Sequence, residues 1–187
     1  MDTKELNKIE RDREEKLNKL KEAGFNYPND FNKAEDIGDI VQAHGSLSKE
    51  DLEKAAIQVS TAGRVILKRE MGKVVFMTIE DTSGSVQGYF SKNNFDDEIE
   101  NIKTLDVGDI VGVSGQLFRT RTDELTIEAK HYQLLTKSLK PMPDKHKGLQ
   151  DIETIYRQRY IDLMSNKDSR DTFIKRNAMI KSLRTDL

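Results

Sequence analysis

Apolar residues near the start of the chain recur at helical spacing. Leu6, Ile9, Leu17 and Leu20 fall on one stripe and predict a helix over 3–23, with Gly24 as its stop. The polar face of that helix mixes signs: Lys4, Lys8, Arg11, Arg13, Lys16, Lys19 and Lys21 stand among Asp2, Glu5, Glu10, Asp12, Glu14, Glu15 and Glu22. Such balance describes a solvated helix docked by its stripe, not a polybasic arm for nucleic acid. Tyr27-Pro28-Asn29-Asp30 marks a turn, and residues 33–56 read as two helical pieces. Ser48 caps the second piece, with Glu50 and Asp51 in its first turn.

From Val59 to Leu135 the period changes to two. Runs rich in β-branched residues, punctuated by Gly63, Gly72, Gly84, Gly108 and Gly115, predict strands over about 59–69, 73–81, 85–91, 110–119 and 124–135. Between the third and fourth, residues 95–102 read as a short amphipathic helix. Five strands with a helix inserted after the third is the order of a five-stranded Greek-key barrel, the OB-fold. The expected fold class is mainly β with flanking helices: that barrel, N-terminal helices and a truncated C-terminal helical segment.

Alternation sorts each strand into two faces. In the second strand Val75, Met77 and Ile79 share the core face, which sends Val74, Phe76, Thr78 and Glu80 outward. In the third, Val86, Gly88 and Phe90 point in, leaving Ser85, Gln87 and Tyr89 outside. In the first, Val65 and Leu67 are expected inside, with Arg64, Ile66 and Lys68 outside. In the fifth, Leu125, Ile127 and Ala129 face in, and Glu124, Thr126 and Glu128 face out. Arg64, Phe76 and Gln87 therefore offer a cation, an aromatic ring and an amide on the outer face of three consecutive strands. A base of any identity stacks on a phenyl ring. An amide pairs with a base edge through both donor and acceptor, and an arginine takes phosphate or base. Lys68, Arg69 and Lys73 at the first hairpin, and Arg119 and Arg121 beside the loop joining the fourth and fifth strands, add positive charge at the rim. The alternative for Phe76 is a satellite core position covered by the N-terminal helices.

Pro141 and Pro143 lie in a connector over 136–150, and a last helical region runs from about 151 onward. There Phe173, Ile180, Leu183 and Leu187 form an apolar stripe that needs a partner, still running where the chain stops, as expected of a truncation. Composition narrows the chemistry further. Lys+Arg 31 against Asp+Glu 33 gives a net charge of -2, so there is no bulk electrostatic coat for DNA and any nucleic-acid site is local. Without cysteine there is no disulfide framework, thiolate zinc site or cysteine nucleophile, and a reducing, cytoplasmic setting fits. The charge-dense first residues argue against a secretory signal, and no apolar run approaches the roughly 20 residues a bilayer needs. His44, His131 and His146 are scattered, and Asp96, Asp97, Glu98 and Glu100 lack calcium-loop spacing. No phosphate-binding glycine loop or nucleophile–base spacing is present, so neither a metal, a cofactor nor a catalytic residue is expected in this chain.

Ala62-Gly63-Arg64-Val65, Met71-Gly72-Lys73, Phe76, Asp81, Gly84, Gln87, Leu105-Asp106-Val107-Gly108-Asp109-Ile110 and Thr122-Asp123-Glu124-Leu125 together resemble the anticodon-binding domain of class II lysyl-tRNA synthetases. Residues 134–145 with Gly148-Leu149 resemble that family's connector. Tyr156-Arg157-Gln158-Arg159-Tyr160-Ile161-Asp162-Leu163, followed by residues 169–173, resembles its hinge and the start of its first class II motif. The barrel residues are shared with aspartyl and asparaginyl enzymes; the connector points to lysine. The resemblance divides the chain into a helical segment 1–58 packed on the barrel, an OB-fold domain 59–136, a connector 137–150, and a hinge with a truncated start of the catalytic domain 151–187.

By that resemblance Phe76 stacks on the central anticodon base, Gln87 reads it as uridine, Arg64 makes a neighbouring contact, and Glu124 serves the flanking bases. Two positions depart from the family: Asp123 stands in place of a glycine, and Gly88 in place of a larger apolar residue. The family's ATP, lysine and magnesium sites lie beyond Leu187, and Phe118-Arg119-Thr120-Arg121 is a false match to its second motif because it lacks the acid. The expected function is recognition of lysine tRNA, catalytically silent by itself, within an intact homodimeric enzyme that uses ATP and magnesium. The rivals are a free-standing single-strand-binding OB protein and an oligomerisation module built on the C-terminal stripe.

Overall fold

A computed structural model describes residues 3–143, 149 and 151–186, with side chains from Lys8 onward. The Leu6 side chain, His146, the connector residues 144–148 and Leu187 lie outside that description. The chain divides into two compact units, Met1–Pro141 and Met142–Leu187. The first runs α1 (Thr3–Glu22), α2 (Ile37–His44), α3 (Lys49–Ala55), β1 (Gln58–Met71), β2 (Val74–Glu80), β3 (Ser85–Ser91), α4 (Lys92–Phe95), α5 (Glu98–Thr104), β4 (Ile110–Arg119) and β5 (Leu125–Thr136).

The strands close into a barrel in the order β1-β2-β3-β5-β4, with β4 paired back to β1. Only the β3–β5 contact is parallel. This is the expected barrel, with the expected helical insertion split into α4 and α5. Val65, Val75, Met77, Ile79, Val86, Phe90, Leu117 and Ile127 fill its interior, and Ile99 and Ile102 of α5 join them. Ile37, Ile40 and Leu52 bring α2 and α3 onto the same cluster. A Cβ on Gly88 would lie 2.9 Å from Cε2 of Phe90. The Phe90 ring fills the space that a larger side chain at 88 would take.

One departure from strict alternation decides the site. The β1–β2 register runs Val65↔Ile79 and then Leu67↔Thr78, leaving Ile66 as an extra residue in a bulge. Beyond it every β1 side chain changes face. Leu67, expected in the core, sits opposite outward Thr78, and Arg69 sits opposite Phe76. Lys68, expected outside, turns to the end of α5, where its ammonium donates to the Lys103 and Leu105 carbonyls. It thereby satisfies acceptors that the helix terminus leaves open.

Charged groups pin the helices. Asp81, in the β2–β3 turn, accepts from the backbone N–H of Ile37 at 3.0 Å and from Ser83 N–H at 2.8 Å, and pairs with Lys33 at 2.9 Å. Burial alone would raise its carboxyl, but these donors prevail and hold it far below the ordinary carboxylate range. Arg13 of α1 donates to the carbonyls of Val107, Ser138 and Lys140. Beside it Lys137, almost without exposure, bridges Asp106 and fully buried Asp109, while Lys16 reaches Asp106 at 2.7 Å. Burial pushes the Asp106 carboxyl up, and the two lysines more than reverse that.

In the second unit α6 (Ile152–Arg157), α7 (Arg159–Ser165) and α8 (Lys167–Asp186) follow one another. Phe173 lies between the guanidinium groups of Arg159 and Arg176, 5.5 and 5.9 Å from its ring centre. Ile174, Met179, Ile180 and Leu183 are exposed on α8.

Candidate nucleic-acid interface

Two rows of outward side chains cross the barrel wall. One runs Leu67, Thr78, Gln87, Thr126 and Phe118 from β1 through β2, β3 and β5 to β4. The other runs Arg69, Phe76 and Tyr89. All of them but the fully buried Thr126 floor an open groove of about 530 Å³, walled by Met71 at the first hairpin and by Thr120, Arg121, Thr122 and Glu124 of the β4–β5 loop. Among its lining residues none comes from α1, α2 or α3. Phe76 is half-buried in this floor rather than covered by the N-terminal helices. Its ring centre lies 5.2 Å from that of Tyr89, which in turn meets Phe118 edge-on at 5.6 Å.

The loop is shaped by a hairpin turn in which the Asp123 N–H donates to the Thr120 carbonyl at 3.1 Å. Asp123 takes φ 62, a left-handed conformation for which glycine is the unstrained choice and Asp a tolerated one. The loop thus keeps a glycine-like path despite the substitution. It delivers Glu124 to Gln87: the amide Nε2 donates to Glu124 Oε2 at 2.6 Å. Thr126 Oγ1 lies 3.2 Å from the amide oxygen.

The structure brings Phe76, Gln87, Glu124, Arg69 and Arg121 together in one groove. It separates the others. Arg64 faces outward as expected, but pairs in register with Glu80, four residues along β2 from Phe76, or roughly 13 Å at strand rise. Its Nη1 donates to the Gly108 carbonyl at 2.8 Å. Arg119 spends its guanidinium on the carbonyls of Gly45, Leu47 and Asp123, tying the α2–α3 turn to the loop. Lys68 caps α5, and Lys73 sits exposed at the hairpin, outside the groove lining. Arg69, expected at the rim, is the cation that lies opposite Phe76. Leu67, Thr78, Tyr89 and Phe118 are floor residues of the groove that the sequence did not assign to the site.

An aromatic floor with two flexible cations and one oriented amide suits a splayed-out base with its phosphates, the chemistry of single-stranded nucleic acid. Among the described residues no cluster of His, Asp or Glu could hold a metal ion, and no helix is long and apolar enough to cross a membrane.

A family described as an OB-fold nucleic acid binding domain matches residues 59–135, the span of the barrel. The chain is 48% identical over 172 residues, 92% of its length, to a lysine–tRNA ligase of Legionella pneumophila strain Lens. It is 47% identical over 173 residues to the lysine–tRNA ligases of Neisseria gonorrhoeae strain FA 1090 and Neisseria meningitidis strain MC58. It spans about a third of the length of these relatives, 35% of the first and 34% of the others.

Proposed function

We propose that this chain, whose barrel is an anticodon-binding OB domain homologous to that of lysine–tRNA ligases, grips the anticodon loop of lysine tRNA in the groove between the first hairpin and the β4–β5 loop. The observation that carries the reading is the convergence of Phe76, Gln87 and Arg69 on one open face. Phe76, backed by Tyr89, gives the central base a surface to stack on. Gln87 offers donor and acceptor to the edge of a uridine, and Arg69 and Arg121 meet the backbone. The similarity over 92% of the chain, well beyond the barrel, favours lysine tRNA over the aspartyl and asparaginyl alternatives.

The whole protein would activate lysine with ATP and magnesium and transfer it to tRNA as a cytoplasmic homodimer. In that scheme the residues described here hold and select the tRNA. Fluorescence anisotropy with a lysine-tRNA anticodon stem-loop tests the reading. The chain should prefer it over loops altered at the central base and over unstructured oligonucleotides. Equal binding to every single strand would instead identify a sequence-tolerant binder.

A further inference from the structure

Gln87 meets the groove with its amide committed at both ends. Nε2 donates to Glu124 Oε2 at 2.6 Å, and Oε1 lies 3.2 Å from Thr126 Oγ1, whose single proton is shared with the Glu124 carbonyl oxygen 3.0 Å away. Thr126 stands beside Gln87 on the neighbouring parallel strand and is fully buried although its strand position faces outward. A carboxylate offers only acceptors, so the amino end of the amide must face Glu124 and its oxygen must face Thr126. The opposite flip would set amide oxygen against carboxylate. An amide carries two donors and two lone pairs; these contacts use one of each. One donor and one acceptor remain for the groove, in an order that the protein fixes.

That order bears on which pyrimidine fits. Along its pairing edge uracil presents a ring N–H donor beside carbonyl acceptors. Cytosine presents a ring-nitrogen acceptor beside an amino donor. An amide free to turn over satisfies either base. A fixed amide, facing a base held by stacking, satisfies one and sets donor against donor with the other. We infer that Glu124 and Thr126 are positioning residues that lock the Gln87 amide and thereby make the groove select uridine over cytidine at the stacked base. The inference rests on the anticodon reading above. It gives Glu124 a role exerted through Gln87, where the family resemblance implies contacts to the flanking bases.

The experiment measures binding of anticodon stem-loops carrying U or C at the central position, and separately loops altered at each flanking position. The full chain is compared with Glu124→Gln, Thr126→Val, Thr126→Ser and Gln87→Ala. Wild type should prefer U over C by roughly tenfold or more. Glu124→Gln, which lets the amide turn over, and Thr126→Val, which removes the hydroxyl while keeping shape, should each lose most of that ratio. The loss should come partly through tighter binding of the C loop, and flanking-base preferences should stay as in wild type. Thr126→Ser should restore the ratio. Because Glu124 is exposed, its variant keeps the test decisive if Thr126→Val fails to fold. An unchanged ratio in Glu124→Gln, or a change confined to flanking positions, overturns the inference while leaving the anticodon reading in place. A wild-type chain that binds all loops and generic oligonucleotides alike overturns that reading, and the inference with it.

Discussion

Truncation of Phe76 to Ala separates the two jobs that a half-buried ring can perform. A fully buried Phe replaced by Ala costs about 3–5 kcal/mol. Phe76 keeps one side open to the groove and packs its other side on the floor, with Tyr89 as its ring partner at 5.2 Å. Its loss should therefore cost about half as much, roughly 2 kcal/mol, including about 0.5–1.5 kcal/mol for the ring pair. At about 2–4 °C per kcal/mol for a chain of this size, melting should fall by about 4–8 °C. A stacked base is worth about 1–3 kcal/mol, so affinity for the anticodon stem-loop should drop between about fivefold and 150-fold. Phe76→Leu keeps most of the apolar volume without the flat ring, so it should recover most of the melting temperature and little of the affinity. Thermal melts by circular dichroism and anisotropy titrations with one labelled stem-loop, on all three proteins, read both quantities. A fall beyond about 15 °C with unchanged RNA affinity would show that Phe76 is core and refute the platform.

Lys137→Met should leave the fully buried Asp109 without its cation and the half-buried Asp106 with Lys16 alone, and cost about 3–5 kcal/mol in urea denaturation. Asp81→Asn should cost about 1–3 kcal/mol at neutral pH, because one amide cannot accept from all the donors now facing the carboxylate. Asp81 and Asp106 both titrate below their unfolded value of 3.8, so their stabilisation is complete above it and lost as pH falls through the folded values. Urea midpoints should accordingly hold down to about pH 5 and fall below about pH 4, less steeply in Asp81→Asn. Asp123→Gly relieves a left-handed backbone and should raise stability by up to about 1 kcal/mol, seen as a melting rise of a few degrees.

The barrel was legible because β2 and β3 alternate without interruption. Val75, Met77 and Ile79 against Phe76 and Thr78, and Val86 and Phe90 against Gln87 and Tyr89, leave one assignment of faces, and the structure keeps it. β1 was misread beyond Val65. Val65-Ile66-Leu67 is an apolar triplet that strict alternation cannot place, and such a triplet is the visible trace of the bulge. Counting through it put Leu67 in the core and Lys68 outside. Arg119 was misplaced for another reason. Its partners, the carbonyls of Gly45 and Leu47, lie more than seventy residues away, and main-chain acceptors carry no sequence signature. Lys137 went unnoticed for a different reason: its acceptors, the carboxylates of Asp106 and Asp109, lie 31 and 28 residues back and reach it only once pairing of β4 with β5 sets Thr136 opposite Ile110.

The bulge at Ile66 has a consequence for anyone who would transplant or shorten this groove. Upstream of it β1 serves the barrel interior with Val65, and downstream it serves the ligand face with Leu67 and Arg69, so the strand holds two reading phases joined at one residue. A substitution at 66 leaves both phases in place. Deleting that one residue would leave a regular ladder, with Val65 opposite Ile79, Leu67 opposite Thr78 and Arg69 opposite Phe76, so both phases survive and only the local bend and added twist of the bulge are lost. It would keep the cation beside Phe76 and keep Lys68 on the inward phase, on the side of α5. Tolerance to amino-acid replacement and tolerance to the loss of one residue therefore coincide at the same position. A graft of this face onto another five-stranded barrel must carry the register of Leu67 and Arg69 against Thr78 and Phe76, and can do so without the extra residue.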